Sequence, residues 1–267
     1  MSNFAIPVKP EIPKEIMDKW QRIVNIMARI VGVPAGLIMK IDPPQIEVFI
    51  SSKTEKNPYH KGERANLNSG LYCETVMQKR EPLLVSDATK DSNWDHNPDI
   101  PLGMIYYLGF PIEWPSGEIF GTICVLDYKD NPKAITYKDL IKEFKTVIET
   151  DLDNILKKYE LEHEKERLRE SEKKYRELVE NANSIILKYD KEGNILSMNE
   201  YGLKFFGYKE EDLIGKNFIG TITPKIESTG RHLDDLLLEI FSDIEKYPRN
   251  INENIKKNGE RVWVLWT

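Results

Sequence analysis

The sequence predicts an α+β protein in which two antiparallel-sheet domains are joined by a long helix, and three observations predict it. The chain has 267 residues, a length that suits two cores better than one at roughly 100–200 residues per domain. Its first half runs helix, two strands, helix, three strands, helix, without the strict alternation that builds a doubly wound parallel sheet. Between residues 156 and 180 the composition turns to charge, with 8 basic and 8 acidic side chains and neither Gly nor Pro. Such a run reads as a helix laced by i,i+4 pairs.

The elements follow in order. Residues 13–31 place Ile16, Trp20, Ile23, Val24, Met27, Ile30 and Val31 at helical spacing, opening on Pro13 and closing on Gly32 before Pro34. Gly36–Ile41 and Gln45–Ser51 read as strands around the Asp42-Pro43-Pro44 turn. After a polar loop, Ser69–Lys79 predicts a short helix with Leu71, Tyr72 and Val76 inward. Leu83–Val85, Ile105–Ile112 and Glu118–Asp127 supply three more strands, the last two joined through Trp114-Pro115-Ser116-Gly117. From Tyr137 a helix carries Leu140, Ile141, Phe144, Val147, Ile148, Leu152 and Ile155 as a stripe for the first core.

Within the charged run Leu161, Leu168, Tyr175 and Ala182 recur every seven residues, a weak coiled-coil seam whose alternative is a solvated single helix. The pattern then restarts. Ser184–Tyr189 and Asn194–Met198 flank the Asp190-Lys191-Glu192-Gly193 turn, and short helices follow at Glu200–Phe206 and Glu210–Ile214. A longer helix runs from about Arg231 to Ile244, and two strands, Arg249–Lys256 and Glu260–Thr267, flank Lys257-Asn258-Gly259. An apolar strand at a sheet edge is a pairing liability, so the Val-Trp-Val-Leu-Trp ending suggests a fragment of something longer. The expected division is 1–155, a linker at 156–180, and 181–267.

Hydrophobic residues make up 40% and charged residues 31%, a balance able to bury cores. Lys+Arg 38 against Asp+Glu 44 leaves a net charge of −6, which disfavours direct nucleic-acid binding. The longest uncharged apolar stretch, Ile100 to Ile112, carries two prolines and falls short of the roughly 17–25 residues of a membrane span. The N-terminus lacks the form of a signal peptide, so a cytoplasmic protein without membrane contact is expected. Two cysteines, Cys73 and Cys124, are too few for a disulfide framework or a four-thiolate zinc site.

Residues 70–100, GLYCETVMQKREPLLVSDATKDSNWDHNPDI, and 108–127, LGFPIEWPSGEIFGTICVLD, make residues 14–155 resemble a GAF domain. SIILKYDKEGNILSMNEYGLKFFGYKEEDLIGKN at 184–217 and KKNGERVWVLW at 256–266 make residues 172–267 resemble a PAS domain. The resemblance implies two sensory domains, the input part of a signal-transduction protein of histidine kinase or diguanylate cyclase type. A module without catalytic activity of its own is expected, since the chain has no Gly-rich phosphate loop and no output motif. His163 lacks the sequence context of a phosphoacceptor and reads as a solvated helical histidine.

In both families ligands lie between one face of the sheet and the helices and loops that cap it. That places Phe49, Tyr72, Cys73, Val76, Trp94, Tyr107, Phe110 and Cys124 in the first pocket, with Asp87, Asp95, His96, Asn97 and Asp99 as polar groups. Met198, Phe206 and Leu236 are the candidates in the second domain. The competing reading is that these aromatics fill a core. No cofactor can be named: the signature of cyclic-nucleotide GAF domains is missing, and the second domain has no cysteine for a flavin adduct. Asp87, Asp91, Asp95 and Asp99 could hold a hard cation or simply build turns. His232 could ligate haem iron or sit at the surface.

Cys73, near a predicted helix start, is a candidate for a lowered pKa and redox chemistry, whereas Cys124 reads as packing. The expected partners are a small-molecule ligand and a second copy of the chain, paired as a homodimer through the linker helix. A ligand-free dimerisation or interaction scaffold is the alternative, and a GAF-fold methionine sulfoxide reductase a second.

Overall fold

The computed structural model describes residues 9–233 and 249–267, and the chain divides into two compact units, up to residue 163 and from 164 onward. The first unit opens with α1 (Lys14–Val31), which buries Trp20, Val24, Met27, Ala28 and Val31 along one face. It stops at Gly32, whose left-handed backbone (φ 78°) lets its N–H reach the Ala28 carbonyl. Strands β1 (Ala35–Asp42), β2 (Gln45–Ser51) and β3 (Arg64–Asn66) precede helix α2 (Tyr72–Lys79). Then come β4 (Leu83–Val85), β5 (Tyr106–Glu113), β6 (Ile119–Asp127), the short α3 (Pro132–Thr136) and the long α4 (Lys138–Glu180). The strands form one antiparallel sheet in the order β3-β2-β1-β6-β5-β4.

Both faces of this sheet are buried. One packs Ile38, Ile50, Leu108, Phe110, Ile123 and Val125 against Trp20 and Val24 of α1 and Ile141, Ile148 and Leu152 of α4. The other packs Leu37, Val48, Tyr107, Cys124 and Leu126 against α2 and Met104. At the centre β1 and β6 approach so closely that a Cβ on Gly121 would stand 1.7 Å from the Met39 carbonyl oxygen. Glycine is therefore required there for steric reasons.

The N-terminal part of α4 is fixed to the first unit by Asp151, which accepts from Trp20 Nε1 at 2.9 Å and pairs with Lys19 at 2.8 Å. Further along, the helix exposes Leu161, Leu168, Tyr175 and Leu178. Pairs such as Lys157–Asp153 at 2.7 Å and Arg167–Glu164 at 3.3 Å line its surface, as the charge pattern predicts. No helix among the described residues is long and apolar enough to cross a membrane.

The second unit contains β7 (Leu187–Tyr189), β8 (Ile195–Met198), α5 (Glu200–Phe206), α6 (Glu210–Leu213), β9 (Asn250–Ile255) and β10 (Arg261–Trp266). The strands pair antiparallel as β7–β8 and β9–β10. Asn199 caps α5 by accepting from Gly202 N–H at 3.1 Å, and its amide donates to the Val179 and Ser184 carbonyls. The core holds Ile195, Met198, Phe206, Leu213, Phe218 and Ile222. The predicted helix at 231–244, and Leu236 with it, lies almost wholly outside the described residues.

Ile251 is 57% exposed, while Asn252 and Asn254 are buried. The pleat of β9 turns the asparagines inward, and Asn254 Oδ1 accepts from Thr223 Oγ1 at 3.1 Å. The architecture is the α+β arrangement of antiparallel sheets that the order of elements predicts.

Candidate functional site

On the sheet face away from α1, the first unit carries a half-open cavity of about 380 Å³. Its floor is Leu37 and Met39 of β1, Ile46 and Val48 of β2, Tyr107 of β5, and Cys124 and Leu126 of β6. Leu71 and Cys73, at the start of α2, cover one side, Pro98, Asp99 and Leu102 another, and Tyr59, Glu63, Arg64 and Ala65 a third. Period-two alternation along the strands delivers the floor residues to this face and sends their neighbours to the α1 side.

Asp99 and Tyr107 are buried, whereas the charged Glu63 and Arg64 are exposed. Asp99 Oδ1 accepts from the Tyr59 hydroxyl at 2.8 Å. Asn97 steadies the segment: its Oδ1 accepts from the Asp99 N–H at 2.8 Å, and its Nδ2 donates to the Gly70 carbonyl at 2.8 Å. Burial raises the Asp99 carboxyl to about 6, outweighing the Tyr59 hydrogen bond that pulls it down. The Tyr107 and Thr122 hydroxyls are fully buried beside the Cys124 thiol, with which both interact. Tyr107 stacks on Tyr72 with centroids 4.9 Å apart, and Tyr72 meets Trp94 at 5.1 Å.

The structure therefore gathers Cys73, Tyr107, Cys124 and Asp99 in the lining, backs them with Tyr72, Trp94 and Val76, and uses Asn97 as a brace. It separates Phe49 and Phe110 from them. Both lie in the α1-side core, Phe49 edge-on to Trp20 at 6.2 Å. Phe110 stands three residues from Tyr107, and residues three apart on a strand face opposite ways. Phe49 falls where the β1–β2 register slips between Ile38 and Met39, so it and Ile50 both join the α1 side.

Cys73 corrects a second expectation. Burial, with the Cys124 thiol and Asp99 nearby, pushes its pKa well above the ordinary value, and Cys124 rises to about 12. Desolvation outweighs any help from the start of α2, so neither is a thiolate at neutral pH.

Met198 and Phe206 belong to the core of the second unit. Among the described residues no group of three or more His, Cys, Asp or Glu side chains could hold a metal ion. The aspartates of the 87–99 loop build turns instead: Asp87 accepts from the Thr89 N–H at 3.1 Å and pairs with Lys90 at 2.7 Å, and Asp91 accepts from the Asn93 N–H at 3.0 Å. His96, His163 and His232 are exposed.

Sequence reasoning misses the apolar floor residues Leu37, Met39, Ile46, Val48 and Leu126, and also Tyr59, Glu63 and Arg64, which sit in a polar stretch without hydrophobic period. The available signal was Arg64–Asn66, a three-residue edge strand too short to show alternation.

The GAF domain family model matches residues 18–141, and the PAS fold model matches residues 173–266. The chain carries a GAF domain followed by a PAS domain. It is thus a pair of sensory domains, and the cavity belongs to the GAF domain. None of the curated proteins matches the chain in sequence. Solved structures similar to it include a free methionine-R-sulfoxide reductase from Neisseria meningitidis, at 10% identity over 53% of this chain and 80% of that one, TM-score 0.44. Another is the GAF domain of an Acinetobacter phosphoenolpyruvate-protein phosphotransferase, at 16% identity over 56% and 86%, TM-score 0.41. A third is the phycocyanobilin-bound GAF domain of a cyanobacterial phytochrome, at 12% identity over 51% and 85%, TM-score 0.41.

Proposed function

We propose that this chain is a signal-sensing input module whose GAF cavity binds a small molecule and relays its occupancy through α4 to an output domain of kinase or cyclase type. The observation that carries the reading is the cavity itself, about 380 Å³ with mostly apolar walls. It is built around a buried carboxyl, that of Asp99, which no ion pair among the described residues neutralises. Such groups are costly in a packed core and useful in a binding pocket. A ligand that meets them favours one packing of α2 and the 87–99 loop on the sheet, and the signal is no larger than its differential affinity for the two packings. The exposed Leu161, Leu168 and Tyr175 of α4 support pairing with a second copy.

Native mass spectrometry of the full chain tests the reading. A stoichiometric small molecule that denaturation releases is expected. A bare mass, together with no thermal shift across a library of small metabolites, would overturn it in favour of a ligand-free interaction scaffold.

A further inference from the structure

We propose that the GAF cavity selects a cation: a small molecule whose protonated amine seats against Asp99 and whose apolar body lies among Leu37, Val48 and Leu126. This rests on the reading of the cavity as a ligand site and adds the charge class of the ligand.

Asp99 is 7% exposed and lines the cavity, and no ion pair to it forms among the described residues. One oxygen is taken by the Tyr59 hydroxyl. A buried carboxylate without a counter-ion is costly, and a cationic ligand removes that cost. The lining's one cationic side chain, Arg64, is already committed to Asp42 at 2.9 Å and Glu47 at 3.0 Å. Glu63 adds a second acid to the lining. An anion would thus meet uncompensated negative charge, whereas an ammonium group meets a charge-assisted acceptor. Asp87, Asp91 and Asp95 on the neighbouring loop bias encounters toward cations.

The test is titration of the full chain, followed by calorimetry, with tyramine, tryptamine and cyclohexylmethylamine, each beside its alcohol and carboxylate counterpart. At least one amine is expected to bind tenfold or more tightly than its alcohol, with the carboxylate weaker still. Asp99→Asn should erase the preference while keeping the alcohol's affinity.

A measurement on the unaltered chain stands beside this variant. Amine affinity should fall about tenfold from pH 7 to pH 5 as a carboxyl of pKa about 6 protonates, with the alcohol's affinity flat. Tyr59, Tyr72, Cys73, Tyr107 and Cys124 stay neutral across that range because their pKa values are raised. Asp87 stays ionised, held low by Lys90 and Thr89. The fall should persist in Glu63→Gln and His60→Asn. An alcohol or carboxylate binding as tightly as its amine would overturn the cation proposal while leaving the cavity a ligand site. So would release of an anionic molecule on denaturing the natively purified chain. No binding by any member of the set overturns the proposal as well.

Discussion

Asp99 shows how a single side chain can be costly to the fold and useful to the site. Its carboxyl rises from an ordinary 3.8 to about 6 because burial disfavours the charge. The folded state therefore binds a proton that the unfolded chain releases between those values. The sign follows: stability contributed at this position is highest below pH 4, declines as pH rises toward 6, and is level above that. The shift corresponds to roughly 3 kcal/mol taken from the folded state at neutral pH, an order-of-magnitude figure. Asp99→Asn keeps an acceptor for the Tyr59 hydroxyl and removes the charge. Urea unfolding of the variant is expected to show a gain of about 2–3 kcal/mol at pH 7.5 and little change at pH 4. Equal midpoints for variant and parent at pH 7.5 would contradict this account.

At the scale of elements, the sheet explains both what the sequence reveals and what it hides. The helix of residues 14–31 and the strands flanking the Trp114–Gly117 turn are legible because capping residues, turn chemistry and period agree. Face assignment is harder. With helices on one side of the sheet and α2 with its loop on the other, β5 and β6 are buried along nearly their whole lengths. Continuous apolar strands lose the alternation that marks a solvent face. Phe110 was misplaced for that reason, and Phe49 because a register slip is invisible without its partner strand. Of the cavity residues on strands and on α2, Tyr107, Cys124 and Cys73 are legible, whereas Leu37, Met39, Ile46, Val48 and Leu126 look like any buried strand residue, and Tyr59, Glu63 and Arg64 come from a polar stretch whose path only the fold sets.

Gly121 carries a prediction at this same scale. A methyl group there would overlap the Met39 carbonyl at 1.7 Å, and a backbone atom cannot rotate aside. Gly121→Ala must push β1 and β6 apart along their shared register from Ala35↔Leu126 to Lys40↔Gly121. The expected loss is at least the ~1–3 kcal/mol typical of overpacking. It is read as a lower denaturation midpoint of the first unit, and an unchanged midpoint would show that the strands are freer to separate than the packing implies.

For the whole molecule, two units with separate cores share one helix, and the proposed pairing of copies rests on what that helix leaves uncovered. Its first part is held by Ile141, Ile148, Asp151 and Leu152, all buried in the first unit. Beyond residue 157 the surface is mostly charged, but Leu161, Leu168, Tyr175 and Leu178 are 56%, 58%, 69% and 73% exposed. Surface ion pairs along such a helix are worth only ~0.3–0.5 kcal/mol each, so they keep the helix soluble without repaying the exposed leucines. A second copy laid along the same seam would repay them, with Glu164 and Ser171 at the intervening positions making the pairing weak. Sedimentation velocity at micromolar loading is expected to show a dimer that dissociates on dilution, and Leu161→Glu with Leu168→Glu to give a monomer with an unchanged near-ultraviolet dichroism spectrum. A parent chain that stays monomeric would remove the seam from the proposed relay, leaving ligand occupancy in the cavity to act on a single copy through α4 alone.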